Sequence, residues 1–154
     1  MAEGSLISDR ARAMVGQVLA RGRREIEKGA LRNYVWALGE TNPLYSDEEH
    51  AKTTKYGGII CPPTFLGGPG GDYPEGPRQE IPDLPPNRLN GGQEVELLKP
   101  IRPSEVLTYE TRLVDLVQRD GSTGSMVIST SETTFTNQQG EVVAKTRSIG
   151  IARP

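Results

Sequence analysis

Three side chains that could take part in acid–base chemistry lie close together, just after a segment with helical apolar spacing. Glu40 offers a carboxylate that could accept a proton, and Tyr45 offers a phenol that could donate a hydrogen bond. Asn42 could hold a substrate carbonyl, or it could form an Asx turn that stabilises the corner before Pro43. Because the ordinary pKa of tyrosine is about 10, Tyr45 is a poor base at neutral pH.

A second segment, residues 56–65, is rich in glycine and proline and could bring backbone N–H groups close to a ligand. Gly57 and Gly58 either offer these N–H groups to a ligand oxygen or form a tight turn. Thr64 adds a hydroxyl, with Pro63 and Phe65 on either side of it. Together with Asn42, these five residues form the predicted substrate-binding set.

Other kinds of catalytic centre have little support in the sequence. The single cysteine, Cys61, follows Ile59 and Ile60 and is predicted to be a small buried hydrophobic residue, not a nucleophile. The only histidine, His50, falls inside a predicted short helix and is expected at the surface. The sequence has no Cys/His metal spacing, Ser-His-Asp set or phosphate-binding loop, so no metal or cofactor is expected.

The chain has 154 residues, which predicts a single domain over residues 1–154. A net charge of −2 and an aromatic content of 5% argue against nucleic-acid binding. The close group Arg21, Arg23 and Arg24 is interpreted as a solvated basic turn. No apolar run reaches membrane-spanning length, so we expect a cytoplasmic protein that does not enter a membrane.

Helices are expected early in the chain and strands late, which predicts an α+β fold. Apolar residues at 31, 34, 35 and 38 define a helix over about 28–38, and Ser46 with Glu49 has the spacing of a capping box for a helix over about 47–54. Residues 5–20 fit either a helix or the start of a strand, with Ser8 and Asp9 as possible caps. Strands are predicted over about 92–98, 106–117, 125–137 and 141–151.

A long Gly/Pro-rich stretch at about 66–90 is predicted to be a loop. Long irregular loops in compact domains are often functional, and this one directly follows the second segment, so it could cover a substrate or a partner. A surface loop without a function is the alternative.

The stretch Leu38 to Asp47, read together with residues 56–65, resembles the signature of the MaoC-like (R)-specific enoyl-thioester hydratases. The similarity runs from about residue 29 to residue 151 and includes Lys99 to Glu105. The family motif carries an Asp and a His that do the acid–base chemistry. Here Glu40 stands at the Asp position and Tyr45 at the His position, which is similar to the family's non-catalytic subunits and half-domains.

This resemblance implies a hotdog fold, in which a curved antiparallel sheet surrounds a central helix. Glycines and prolines at 67–71 oppose helix formation, so the central helix is expected to be short, displaced or replaced by a loop. The resemblance also implies an acyl thioester of coenzyme A or a carrier protein as substrate. It further implies pairing into a homodimer, or into a heterodimer with a catalytic hotdog subunit.

Three hypotheses about function follow from these observations. In the first, the chain is the non-catalytic partner in an (R)-specific enoyl-thioester hydratase or 3-hydroxyacyl dehydratase, a hydro-lyase of lipid metabolism, and shapes the acyl pocket. In the second, it is a self-sufficient homodimeric hydratase that uses Glu40 as base and Tyr45 as hydrogen-bond donor. In the third, it binds a thioester without chemistry.

Overall fold

The computed structural model describes residues 4–67, 72–122 and 124–154. Its helices are α1 (Asp9–Arg12), α2 (Lys28–Ala37) and α3 (Glu48–Thr53), together with two short 3₁₀ helices at Pro43–Tyr45 and Pro63–Gly67. Its strands are β1 (Val18–Glu25), β2 (Asp72–Pro74), β3 (Asn87–Leu97), β4 (Val106–Gly121), β5 (Gly124–Thr136) and β6 (Val142–Arg153).

The six strands form one antiparallel sheet in the order β2-β1-β4-β5-β6-β3. The three last predicted strands correspond to β4, β5 and β6, which are consecutive neighbours in the sheet. The strand that precedes them, β3, does not lie beside β4 but pairs with β6, so it forms one edge of the sheet. The prediction of an α+β fold with a single hotdog sheet is confirmed.

The two faces of the sheet differ because successive side chains of a strand point to opposite sides. The face called here the inner face carries buried residues such as Leu107, Leu113 and Phe135. The outer face carries charged residues in register across the strands, such as the ion pair between Arg147 and Glu132, in which Nε lies 2.9 Å from Oε2.

Two apolar clusters pack on the inner face, one near each end of its strands. The larger, called the main cluster, combines Leu31 and Val35 of α2 with residues of the sheet and of the segment before the second 3₁₀ helix. Its buried members are Ile26, Leu31, Val35, Cys61, Leu66, Ile101, Leu107, Phe135, Val143 and Ala144. The second cluster joins Ile7 and Ala11 at the amino-terminal end of the described chain to Leu116, Val127 and Ala152.

Helix α2 and helix α3 confirm two sequence predictions, with one change at a cap. Helix α2 ends at Ala37, and Gly39 follows with φ of 63°, a left-handed conformation that glycine adopts without a Cβ penalty. Helix α3 is capped by Asp47, whose Oδ1 accepts the His50 N–H at 3.0 Å. The prediction that Ser46 caps this helix in a capping box with Glu49 is therefore wrong, because Asp47 is the N-cap residue.

The amino-terminal region contains both alternatives that the sequence left open. Ser8 caps the single-turn helix α1 by accepting the Ala11 N–H at 3.1 Å, and the chain then enters β1. The three arginines lie in β1, so their interpretation as a basic turn is wrong. Arg24 is only 4% exposed, because pairing with β4 and β2 turns it onto the inner face.

The expectation of a shortened central helix is confirmed. Where the resemblance places the start of a long helix, the described residues form the short 3₁₀ helix Pro63–Gly67. The loop predicted at about 66–90 is interrupted, because β2 pairs with β1 and β3 already begins at Asn87. Residues 68–71 of that loop lie outside the described residues.

Candidate functional site

The turn after α2 gives the predicted acid–base residues local partners. Oε1 of Glu40 accepts the Asn42 N–H at 2.8 Å, and the Glu40 N–H donates to the Val35 carbonyl at 3.1 Å. The Glu40 side chain is otherwise exposed. Its carboxylate is therefore accessible from solvent and turned back towards its own turn.

Asn42 caps the first 3₁₀ helix. Its Oδ1 accepts the Leu44 N–H at 3.0 Å, which is the Asx-turn role that the sequence offered as one alternative. Tyr45 ends this helix, and its side chain is half-buried against the main cluster. The motif thus presents one exposed carboxylate and a phenol whose ring contributes to the core, and their catalytic roles stay predictions.

The Gly57-Gly58 segment forms a tight turn. Gly57 has φ of 66°, and its N–H already donates to the Thr54 carbonyl at 3.0 Å. A Cβ at Gly58 would lie 3.3 Å from Nη1 of Arg102, whose Nη2 donates to the Tyr56 carbonyl. Of the two glycine N–H groups, that of Gly57 is committed to the turn.

The second 3₁₀ helix presents the remaining predicted substrate-binding residues differently. Pro63 and Thr64 are exposed, whereas Phe65 is half-buried. The Phe65 ring meets the Tyr34 ring of α2 edge-on, with centroids 5.3 Å apart. Thr64 therefore offers an accessible hydroxyl, and Phe65 anchors the segment to α2.

Cys61 and His50 behave as the sequence predicted. Burial raises the pKa of the Cys61 thiol to about 12, and the nearby Glu105 charge adds to this effect. The thiol is therefore protonated at neutral pH and is not a nucleophile. His50 lies exposed on α3.

Two groups with possible functions were missed at the sequence level. One is Glu105, whose buried Oε2 has no hydrogen-bond partner among the described residues. The other is a set of hydroxyl side chains on the inner face, called here the hydroxyl band: Thr111, Thr133, Thr146, Ser129, Ser131 and Ser148. A signal for the band existed, because Ser129, Ser131 and Thr133 alternate in phase with the buried Val127.

The hydroxyl band lines two adjoining cavities of about 440 and 600 Å³. Leu66 and Gly67, which directly follow the predicted substrate segment, line the smaller cavity. The backbone there is held by Arg24, whose Nη1 donates a hydrogen bond to the Leu66 carbonyl at 2.6 Å. Arg78 and Ser148 line both cavities, and the segment 78–81 forms the opposite wall of the larger one. Both volumes fall in the range of small-molecule sites.

The described residues contain no group of three or more His, Cys, Asp or Glu side chains arranged to hold a metal ion. In the same part of the chain, no helix has the length and apolar character needed to cross a membrane.

The model of the FAS1-like dehydratase domain region matches residues 13–146 of the chain. The chain belongs to this dehydratase family. A relative named UPF0336 protein, from Thermobifida fusca (strain YX), is 29% identical over 134 residues, which cover 84% of each chain. A probable enoyl-CoA hydratase alpha subunit from Thermomonospora curvata is 26% identical over 90% of this chain, but over only 49% of its own length.

Solved structures show the same fold as this dehydratase-family chain. The ChsH1-ChsH2 complex from Mycobacterium tuberculosis superposes with a TM-score of 0.74 at 18% identity, covering 94% of this chain and 89% of that one. A MaoC-like dehydratase from Rhodospirillum rubrum superposes with a TM-score of 0.62 at 20% identity, covering 91% and 94%. These structures confirm the fold that the resemblance to MaoC-like hydratases and dehydratases implies, and the match over residues 13–146 confirms a dehydratase family.

Proposed function

We propose that this chain is the non-catalytic subunit of an (R)-specific enoyl-thioester hydratase or 3-hydroxyacyl dehydratase. In this proposal a partner hotdog subunit supplies the Asp and the His. The observation that carries it is Tyr45, which stands at the family His position with its ring half-buried against the main cluster. A phenol packed in this way is a poor substitute for an imidazole that must exchange protons at neutral pH.

In this proposal the two subunits have different roles in the reaction. Hydration adds a water oxygen to the β carbon and a proton to the α carbon, while negative charge develops on the thioester oxygen. The partner's His and Asp would move the two protons. This chain would contribute exposed donors, of which the Thr64 hydroxyl is one, and would form part of the acyl pocket. The thioester would be one of coenzyme A or of a carrier protein.

A partner of the same fold is supported by the open edge of the sheet. Strand β3 pairs with β6 on one side and ends the strand order on the other, so its outer backbone groups can add another strand. Leu89, Leu97 and Leu98, at or next to this edge, are 54%, 37% and 49% exposed. The solved ChsH1-ChsH2 structure is itself a complex, and the Thermomonospora curvata relative is named as an alpha subunit.

The decisive test measures hydration of crotonyl-coenzyme A by the purified chain, alone and after co-purification with a hotdog protein that carries the intact Asp/His motif. We expect negligible turnover by the chain alone and clear turnover by the pair. Robust turnover by the chain alone, at a purity that excludes a contaminating hydratase, would contradict the proposal.

A second candidate, the self-sufficient homodimer, is favoured by one observation: the Glu40 carboxylate is exposed and so could reach a substrate. The variant Glu40→Gln separates the two ideas. If Glu40 is the base, the variant loses turnover while its thermal unfolding stays close to wild type, because the Gln side-chain oxygen can still accept the Asn42 N–H. If the partner is catalytic, the complex containing Glu40→Gln keeps its activity. Thioester binding without turnover in any pairing would instead favour the binding-module hypothesis.

A further inference from the structure

The middle of the inner face is polar although both of its ends are apolar. Thr111, Thr133 and Thr146 lie side by side across β4, β5 and β6. In the next row, Ser131 and Ser148 lie beside the buried Leu113 of β4. Valine has nearly the shape of threonine, so an apolar face could have been built here without a change in backbone. The hydroxyls therefore do not serve close packing of the sheet against an apolar layer.

The hydroxyls differ in how much of their hydrogen-bonding capacity the protein itself uses. Oγ1 of Thr111 and Oγ1 of Thr133 lie 2.8 Å apart and share one hydrogen bond. Thr111 is 5% exposed, whereas Thr133 and Ser131 are half-buried and Ser148 is exposed. Since each hydroxyl can donate one hydrogen bond and accept two, the more open members can accept or donate further bonds towards the cavities.

The surrounding walls add further polar groups beside apolar ones, such as Leu19 and Ile81 in the larger cavity and Phe135 in the smaller. Gln93 pairs with Ser148 across β3 and β6, and a Cβ at Gly67 would come within 2.5 Å of Gln93 Oε1. The absence of that Cβ lets the Gln93 amide lie against the second 3₁₀ helix, on the border of the smaller cavity. Arg78 lines both cavities. Donors and acceptors thus face the cavities from more than one side.

The wall formed by the loop is held in place. The Glu75 N–H donates to the Arg21 carbonyl at 2.8 Å, and the Gln79 N–H donates to the Leu19 carbonyl at 2.7 Å. Ile81 and Leu84 pack against the second cluster. The loop therefore forms one wall of a groove whose floor carries the hydroxyl band and whose lining includes Leu66 and Gly67, next to the predicted thioester segment.

From this geometry we infer that the groove binds an acyl group that carries hydroxyl or keto oxygens along its chain, in preference to a plain hydrocarbon chain. The inference rests on the proposed function, because it takes the groove as the continuation of the thioester site at residues 63–67. A hydrocarbon chain would displace water from the hydroxyl band without replacing its hydrogen bonds, whereas an oxygenated chain would replace them.

The test compares two saturated coenzyme A thioesters of equal chain length, one of which carries hydroxyl groups beyond the γ carbon. Both ligands are unreactive, so binding to the complex with the catalytic partner can be measured by calorimetry. We expect the hydroxylated ligand to bind more tightly to the wild type, and Thr133→Val and Ser131→Ala each to weaken its binding by about 3- to 10-fold. The same variants should leave binding of the plain ligand unchanged or slightly tighter.

The matched control is Thr134→Val, one residue from Thr133 but on the outer face, in register with Lys145. It makes the same chemical change away from the groove and should leave both affinities unchanged. Equal or tighter binding of the plain ligand to the wild type, or no effect of the inner-face variants, would overturn the inference and leave the proposed function intact. Failure of both acyl groups to bind, whether as thioesters of coenzyme A or of a carrier protein, would overturn the proposed function itself.

Discussion

The side chains on the inner face of the sheet change from apolar to hydroxyl-bearing between two neighbouring rows of the same strands. At the row Tyr109–Phe135–Ala144, the side chains join the main cluster under α2. Two residues further along each strand, the row is Thr111–Thr133–Thr146. Both rows point to the same side of the sheet and share the same backbone geometry. The first row packs against the cluster under α2 and borders the smaller cavity through Tyr109 and Phe135, whereas the second row lies on the floor of that cavity.

This comparison separates residues that stabilise the fold from residues available to a ligand. Burying an apolar side chain completely contributes about 1.5–3 kcal/mol, so the main cluster accounts for a large share of the stability. A hydroxyl in a groove exchanges a hydrogen bond with water for another bond and contributes about 1 kcal/mol or less. The hydroxyl band should thus be nearly dispensable for folding.

The largest effect expected at the apolar end concerns the reactivity of Cys61. With a pKa of about 12 against an ordinary value near 9, the thiolate fraction at pH 8 is lower by about a thousandfold. Alkylation by iodoacetamide at pH 8 should be slower in the native protein by at least that factor than in urea-unfolded protein. Equal alkylation rates in native and unfolded protein would contradict the burial of Cys61 in the main cluster.

The same raised pKa also predicts a pH dependence of stability. Between about pH 9 and pH 12 the unfolded chain loses the Cys61 proton while the folded chain keeps it. The contribution of this group to the free energy of unfolding is therefore unchanged below pH 9 and falls as the pH rises through that window. Cys61→Ala should remove this part of the alkaline loss.

The next effect is the loss of stability when the apolar row is truncated. Leu107 is fully buried, so Leu107→Ala should lower the free energy of unfolding by about 2–5 kcal/mol. Urea unfolding measures this change. Val114→Ala is a suitable control, since Val114 is 41% exposed and its truncation should cost no more than about 0.5 kcal/mol. Similar losses in the two variants would remove the distinction between core and surface.

The smallest effect concerns the hydroxyl band and sharpens the comparison. Thr133→Val leaves the nearly buried Thr111 hydroxyl without its partner and should cost about 1 kcal/mol. The double variant Thr111→Val/Thr133→Val removes both polar groups and should cost less than the sum of the two single variants. Additive losses, or a loss as large as that of Leu107→Ala, would show that the band stabilises the fold in the same way as the apolar rows.

Local patterns predicted those parts of the fold that depend on local physics. The apolar spacing of residues 31–38 predicts α2, because one helical face must pack on the sheet and Gly39 can adopt the left-handed conformation that ends it. The alternation in the last third predicts β4, β5 and β6 for the same kind of reason. The glycines and prolines after Phe65 predict a central helix that is short, displaced or replaced by a loop.

Other features could not be predicted from local patterns. The three arginines of β1 are spaced like a solvated turn, and only pairing with β4 on one side and β2 on the other places Arg24 inside. The choice of Asp47 over Ser46 as the cap of α3 depends on where the preceding 3₁₀ helix ends. The burial of Arg24 therefore depends on strands that are distant in sequence. The choice of cap depends on the conformation of the residues that precede α3.

The sequence by itself determined the dehydratase family, because the match over residues 13–146 needs no coordinates. That Glu40 and Tyr45 replace the family's Asp and His stays a prediction from the motif. Only the tertiary structure decided that hydroxyls from three strands form one band and that a fixed loop forms one wall of the groove they line. Strand register brings residues such as Thr111, Thr133 and Thr146 side by side, although intervals of 22 and 13 residues separate them along the chain. Such neighbours arise from pairing across the sheet, and no local pattern specifies that pairing.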